Sequence, residues 1–293
     1  MNARVFLLPL VGLLCQCGGG SGGSGSFAAA PSGRMTQIVN VSAYDPKERQ
    51  RDGIGYNEHD VSALRANGAA GLIARCGKGG VLDTKCANFL AAADREGMKV
   101  GAYYRLQNQV DAVAQADQFV GRMQAIARSR SWNADRLLLC GDFDAKSRLS
   151  DITRLVDRVH ARTGCYPVVY LENSEHLKLL LSRADDATKA KLRNCPYWVA
   201  LYSHTTGGGG HFSAAGSPDG LVSHYDVWHD WSLWQYGGVD WERGRSRPKV
   251  YSYGSFRAAP YLGNLDRPVE RNVFKGGPGE LASFWSRHGI PTR

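Results

Sequence analysis

The chain reads as an α/β protein, a modified TIM-like (β/α) barrel in which about five βα units are followed by extra strands. Three observations predict this. Short apolar runs recur at intervals of roughly thirty residues with helical patterns between them, the signature of consecutive right-handed βαβ units. The run Leu137-Leu138-Leu139-Cys140 is apolar throughout, as in a strand covered on both faces. It ends at once in Asp142 and Asp144, spaced so that both side chains leave one face of the strand, and sites in such folds gather at strand carboxyl ends. Taken alone, that acidic pair is also compatible with one aspartate capping the next helix and the other being solvated.

Taken in order, Ile38 to Val41 is the first strand and His59 to Asn67 a helix ending near Gly68. Gly71 to Arg75 is the second strand, and Thr84 to Glu96 has helical spacing and stops at Gly97. Lys99 to Tyr104 is the third strand, followed by a helix from Asp111 to Ala127. Leu137 to Asp144 is the fourth, with a helix from Ser150 to Arg162 behind it. The fifth strand ends at Val168-Val169-Tyr170, and Trp198 to Leu201 is the sixth. There the rhythm breaks. His204 to Gly220 is a Gly/Ser-rich loop whose four glycines, Gly207 to Gly210, lack the Lys-Ser/Thr of a phosphate loop. Strand-like Val250 to Tyr253 and Val269 to Phe274 follow, and Pro278 to His288 has the pattern of a short helix, expected against the outside of the domain.

Composition limits the function. At 293 residues, with 43% hydrophobic and 22% charged residues, the chain can bury one substantial core. A net charge of +9 favours polyanionic surroundings, but the basic residues are scattered and no nucleic-acid-binding signature is present. Arg4 before the apolar run Val5 to Leu14, with Ala28-Ala29-Ala30 beyond it, has the composition of an export signal. Cys17, followed by the tract Gly18 to Ser26, offers an alternative, a lipid-modified cysteine on a flexible membrane tether. The organisation is therefore 1–34 as signal and linker, 35–277 as the barrel, and 278–293 as a tail. Seven cysteines suit an oxidising compartment. Cys76 is expected to pair with Cys86 and Cys165 with Cys195, leaving Cys140 a buried thiol. The chain is expected to act as a monomer.

Strand carboxyl ends that share one mouth would gather Asn40 and Ser42, Arg75, Tyr103 and Tyr104, Asp142 and Asp144, Tyr170 and Glu172, Tyr202, Trp234 to Tyr236, and Glu270 with Asn272. A rim acidic at its centre and aromatic around it suits carbohydrate, since sugar C–H faces stack on rings while carboxylates do acid–base work. The histidines at 204, 211, 224 and 229 lack metal-ligand spacing, and neither a metal nor a cofactor is expected. An apolar strand ending in Asp-x-Asp also opens the site of haloacid-dehalogenase-type phosphatases, but there the pair lies near the chain start and a Thr or Val stands where this chain has Lys146.

The order of motifs resembles glycoside hydrolase family 25, exported lysozymes that cut peptidoglycan, from about Gln37 to Gly277. The motifs are Asn40 to Tyr44, Gly97 to Tyr103, Asp142-Phe143-Asp144, Thr163 to Tyr170, Leu233 to Tyr236, and Val269 to Phe274. The resemblance implies a barrel of five βα units plus extra strands. It also implies cleavage of β-1,4 bonds between N-acetylmuramic acid and N-acetylglucosamine in glycan strands. Catalysis would fall to Asp144, Asp142 and Glu270, and substrate binding to Asn40, Tyr103, Tyr104, Tyr170, Trp234, Gln235, Tyr236 and Asn272. The chain departs from the family at three positions. It has Asn40 where the family has Asp, Asp144 where the family has the Glu that serves as general acid, and Glu270 where the family has Asp. Of two neighbouring carboxyl groups one is expected to hold its proton near neutrality, and by the resemblance that one is Asp144. The alternative to an enzyme is a peptidoglycan-binding pseudoenzyme with the same groove.

Overall fold

The computed structural model describes residues 35–43, 45, 58–66, 68–201, 218–240, 249–251 and 269–293. The proposed signal and Cys17, Tyr202 and the glycine-rich loop lie outside the described residues.

The frame is a closed barrel. Its strands in chain order are β1 (Thr36–Val41), β2 (Gly71–Lys78), β4 (Lys99–Arg105), β5 (Arg136–Phe143), β6 (Val168–Leu171), β7 (Tyr197–Ala200), β8 (Leu233–Asp240) and β10 (Glu270–Phe274). Neighbours pair in the order β1-β10-β8-β7-β6-β5-β4-β2, and β1 pairs β2 to close the ring. All neighbouring pairs are parallel except those of β10, which runs antiparallel to β1 and β8. Short β3 (Val81–Leu82) folds back on β2, and β9 (Lys249–Tyr251) pairs β8.

Helices α1 (Glu58–Ala66), α2 (Cys86–Arg95), α3 (Ala112–Arg128) and α4 (Leu149–Thr163) lie close to the ranges their apolar periodicity predicts. Local signals set their ends. Asp111 accepts the backbone N–H groups of Val113 and Ala114 at the start of α3, and Gly164 takes a left-handed conformation (φ 72°) after α4. Three helices escaped the sequence reading: α5 (Glu175–Ser182) and α6 (Asp186–Arg193) between β6 and β7, and α7 (Asp219–Tyr225) before β8. All three are short, and periodicity over two turns is a weak signal.

Strand alternation divides the core in two. Val39, Val41, Leu72, Ala74, Val100, Ala102, Leu137, Leu139, Val169, Val199 and Trp234 face the helices. Ile38, Ile73, Tyr103, Leu138, Cys140, Val168, Trp198, Leu233 and Phe274 fill the barrel lumen. The terminal helix α8 (Pro278–His288) forms where expected, but it is not on the outside. It plugs the lumen from the strands' amino-terminal side, adding Leu281 and Trp285 to the inner cluster. The Trp285 Nε1 donates to the Val100 carbonyl at 2.8 Å. The strand that follows, β11 (Gly289–Pro291), pairs with the first residues of β5, before β6 joins β5 at Cys140. The short apolar pattern of α8 says that one face is buried, not against what.

The expected disulfides are absent. All five described cysteines are free thiols. Cys76 and Cys86 are side by side, and the hydrogen bond to Cys76, then burial, pushes the Cys86 thiol well up. The Cys165 thiol is turned instead to the Gly289 carbonyl, at 3.6 Å, a contact made by the C-terminal strand. Cys195 is buried against the outer helices, and Cys140 lies in the lumen.

Candidate active site

The mouth of the barrel is built by the next inward position of each strand beyond the apolar lumen. On β5, inward residues run Leu138, Cys140, Asp142; on β1, Ile38, Asn40; on β2, Ile73, Arg75; on β4, Tyr103, Arg105; on β6, Val168, Tyr170; on β8, Leu233, Gln235. The antiparallel β10 reaches the same level at its start, giving Phe274, Asn272, Glu270 in reverse. Gly141 is required between Cys140 and Asp142, because a Cβ there would lie 2.8 Å from the Phe143 ring.

One wall carries charge. Arg105 and Asp142 are register partners on β4 and β5, and Asp144 follows just beyond the strand. The Arg105 Nη2 donates to Asp144 Oδ2 at 3.1 Å, and Gln107 Nε2 donates to the same oxygen at 3.3 Å. The other oxygen, Oδ1, accepts the backbone N–H of Lys146 at 2.9 Å. Glu172 is exposed beside this wall and accepts the Ala145 N–H at 2.9 Å. Asp142 differs: among the described residues no side chain donates a hydrogen bond to its carboxyl. Burial pushes this carboxyl up to about 7, opposed by Arg105 and reinforced by the negative charges of Glu270, Asp144 and Glu172. Burial disfavours charge on Arg105, but Asp142 and then the ion pair with Asp144 outweigh it and hold the guanidinium protonated.

The facing wall is a lattice of amides. Asn40 donates its Nδ2 to Glu270 Oε2, while its Oδ1 accepts Asn272 Nδ2 at 2.8 Å and Gln235 Nε2 at 3.1 Å. Asn272 Oδ1 accepts the Trp198 indole N–H at 2.9 Å, and Gln235 Oε1 accepts the Tyr170 hydroxyl at 2.8 Å. Gln235 also lies 3.4 Å from Glu270 Oε2. Tyr103 and Tyr170 close the sides. Burial first, then the charges of Asp142 and Glu270, raise both phenols, so each remains a neutral donor.

The structure thus brings Asp142, Asp144, Glu270, Asn40, Tyr103, Tyr170, Gln235 and Asn272 to one cleft. It turns Tyr104, Trp234 and Tyr236 away. Each of these three follows or precedes an inward residue by one, so strand alternation faces it toward the outer helices. Tyr104 accepts the Gly80 N–H at 2.8 Å and donates to Gln118 at 2.6 Å. The Trp234 Nε1 donates to the Leu201 carbonyl at 3.0 Å, and its ring meets Tyr236 edge-on at 5.9 Å. The expectation that these three line the mouth is corrected. The carboxyl pushed toward neutrality is that of Asp142, by burial, whereas the Asp144 carboxylate pairs with the Arg105 guanidinium. Two residues were missed. Arg105 lies one residue beyond the end that the sequence pattern gives the third strand, and Gln107 carries no signal in the sequence.

A family model described as glycosyl hydrolases family 25 matches residues 52–243. The chain belongs to that family. The match begins after Asn40 and stops before Glu270 and Asn272, so three of the mouth residues lie beyond it. A search of curated proteins finds no match. Among solved structures, a bacterial lysozyme from Streptomyces coelicolor superposes with a TM-score of 0.56 at 18% identity, covering 89% of this chain and 100% of that one. A family 25 glycosyl hydrolase from Bacillus anthracis gives 0.53 at 16% identity, covering 90% and 100%. The catalytic domain of the endolysin from Listeria bacteriophage P40 gives 0.53 at 16%, covering 86% and 98%. At such identities the likeness is one of fold, and it supports the modified barrel.

Proposed function

We propose that the protein is an exported peptidoglycan hydrolase that cleaves the β-1,4 bond between N-acetylmuramic acid and N-acetylglucosamine, with Asp142 as the proton donor. The observation that carries this reading is a buried carboxyl, free of hydrogen-bond donors among the described residues and pushed up to about 7, in one cleft with an anchored carboxylate, Glu270. Family membership and the lysozymes among the structural relatives point to the same substrate class. In the step envisaged, Asp142 gives its proton to the glycosidic oxygen as the bond from C1 to that oxygen breaks. Glu270 stabilises the positive charge that develops on the sugar. A water then supplies hydroxyl to C1 and returns a proton to Asp142, so the enzyme is regenerated. Tyr103 and Tyr170 flank the path and offer ring faces to the glycan, with the Tyr103 hydroxyl as a donor. Residues 1–34 would direct export, with lipid attachment at Cys17 as the alternative to a cleaved signal, and the wall glycan, not nucleic acid, would be the polymer met by a monomer of net charge +9.

The test is to incubate purified protein with sacculi, reduce the products with borohydride and identify the new ends by mass spectrometry. New muramitol ends, lost in Asp142→Asn, are the expected result. A second reading, a glycan binder without turnover, draws on the Arg105–Asp144 ion pair, which occupies the carboxylate at the family's acid position. Sedimentation with sacculi and no end release above the Asp142→Asn background would establish the binder and overturn the hydrolase.

A further inference from the structure

Asp144 is engaged by donors on both of its carboxylate oxygens. Its Oδ2 faces two donors, Arg105 Nη2 and Gln107 Nε2, and its Oδ1 faces the Lys146 N–H. Three donors therefore converge on this one carboxylate, two of them on a single oxygen. The clamp is held by backbone that cannot easily shift. Arg105 ends β4 in register with Asp142, and its carbonyl accepts the N–H of Gly79 at 3.2 Å, in a turn whose glycines adopt φ of 56° and 86°. The Leu106 N–H is bonded to the Asp142 carbonyl at 3.0 Å, tying the next residue to the same strand.

We propose that Arg105 is a positioning residue: its guanidinium engages the Asp144 carboxylate and so leaves Asp142, its neighbour across the strand pair, as the proton carrier of the cleft. This rests on the hydrolase reading for its consequence in catalysis, but the clamp itself does not. The groups that face Asp142 are Arg105 and Tyr103 from β4, Asp144 just beyond its own strand, Tyr170 from β6 and Glu172 beyond it, and Glu270 from β10. Arg105 is the positive charge that acts directly on Asp142. Removing it therefore leaves burial and three like charges less opposed, Arg75 of β2 being the other cation at the mouth, and Asp142 should hold its proton to higher pH.

The experiment follows the carboxyl carbons of Asp142 and Asp144 by NMR of aspartate-labelled protein, assigned through Asp142→Asn and Asp144→Asn, in the wild type, Arg105→Lys and Arg105→Gln. Expected for Arg105→Gln is a rise in the Asp142 midpoint of about one pH unit or more, the ordinary size of a close-charge effect. Arg105→Lys should restore most of the wild-type value. The alkaline limb of the glycan-cleavage profile should move upward by the same amount. An Asp142 midpoint unchanged in Arg105→Gln, or a neutral-range midpoint that belongs to Asp144 in the wild type, overturns the proposal. If the midpoints move as stated and no variant releases sugar ends, the clamp stands and the hydrolase reading fails. A variant that does not give the wild-type amide spectrum is replaced by Arg105→Met, which keeps the stem's packing and reads out identically.

Discussion

The two ends of the barrel lumen are made by the same strands and are chemically opposite. At the floor, Ile38, Leu138, Val168, Trp198, Leu233 and Phe274 meet Leu281 and Trp285 of α8 in a sealed apolar plug. One inward position or two further along the same strands, Asn40, Asp142, Tyr170, Gln235 and Glu270 form the cleft. The difference teaches that floor and mouth share a backbone and divide the work. Apolar burial below holds the ring closed, and that rigidity lets the strands above carry a buried acid and unlike charges at fixed separation. The apolar floor also contributes the burial that raises Asp142, since Cys140 and Leu138 lie directly beneath it.

The contrast can be tested from either end, and the largest effect belongs to the mouth. Asp142→Asn should lower sugar-end release on the order of 10²–10⁴-fold, the usual worth of a general acid. Its effect on stability should have the opposite sign. Because the folded carboxyl is raised to about 7, the native state keeps a proton that the unfolded chain has lost, so wild-type stability falls as pH rises from the ordinary carboxylate range toward neutrality. Melting curves should find Asp142→Asn more stable than the wild type at pH 8, with the gap closing by pH 4; an equal gap at both pH values would show that Asp142 is not raised.

At the floor, Trp285→Ala should cost about 3–5 kcal/mol in urea unfolding, through lost apolar contact and an unpaired Val100 carbonyl. If it instead left stability unchanged, α8 would not be what seals the ring. Between the two ends, Asn40→Asp removes the amide donor to Glu270 and places a second carboxylate beside it. The expected loss is about 1–3 kcal/mol, larger at pH 8 than at pH 5 because both groups are then ionised. A stability equal to the wild type at pH 8 would mean that the amide lattice does not depend on its charge count. The smallest effect is that of Tyr104→Phe, expected to cost about 0.5–1.5 kcal/mol with sugar-end release unaltered, since this hydroxyl serves Gly80 and Gln118 behind the wall. A drop in release there would return Tyr104 to the cleft.

By itself the sequence determined the barrel. Six recurring strands and the helices from α1 to α4 were legible because an amphipathic helix and a doubly covered strand each write a period into the chain, and that period depends only on local geometry. Asp142, Asp144, Asn40 and Glu270 were legible as polar breaks at strand ends. What only the tertiary structure decided is which way each neighbour faces and what it meets. Strand parity puts Tyr103 in the cleft and Tyr104 behind it, and Gln235 in the cleft with Trp234 and Tyr236 behind. The choice requires knowing where each strand's inward phase begins, which sequence periodicity in continuously apolar strands does not carry. The floor position of α8 depends on contacts between Trp285 and Val100, 185 residues apart. The contrast between Asp142 and Asp144 depends on Arg105, about forty residues before either, which hydrogen-bonds Asp144 and not Asp142. Ionisation is set by distance and burial in space, and those are properties of the folded ring.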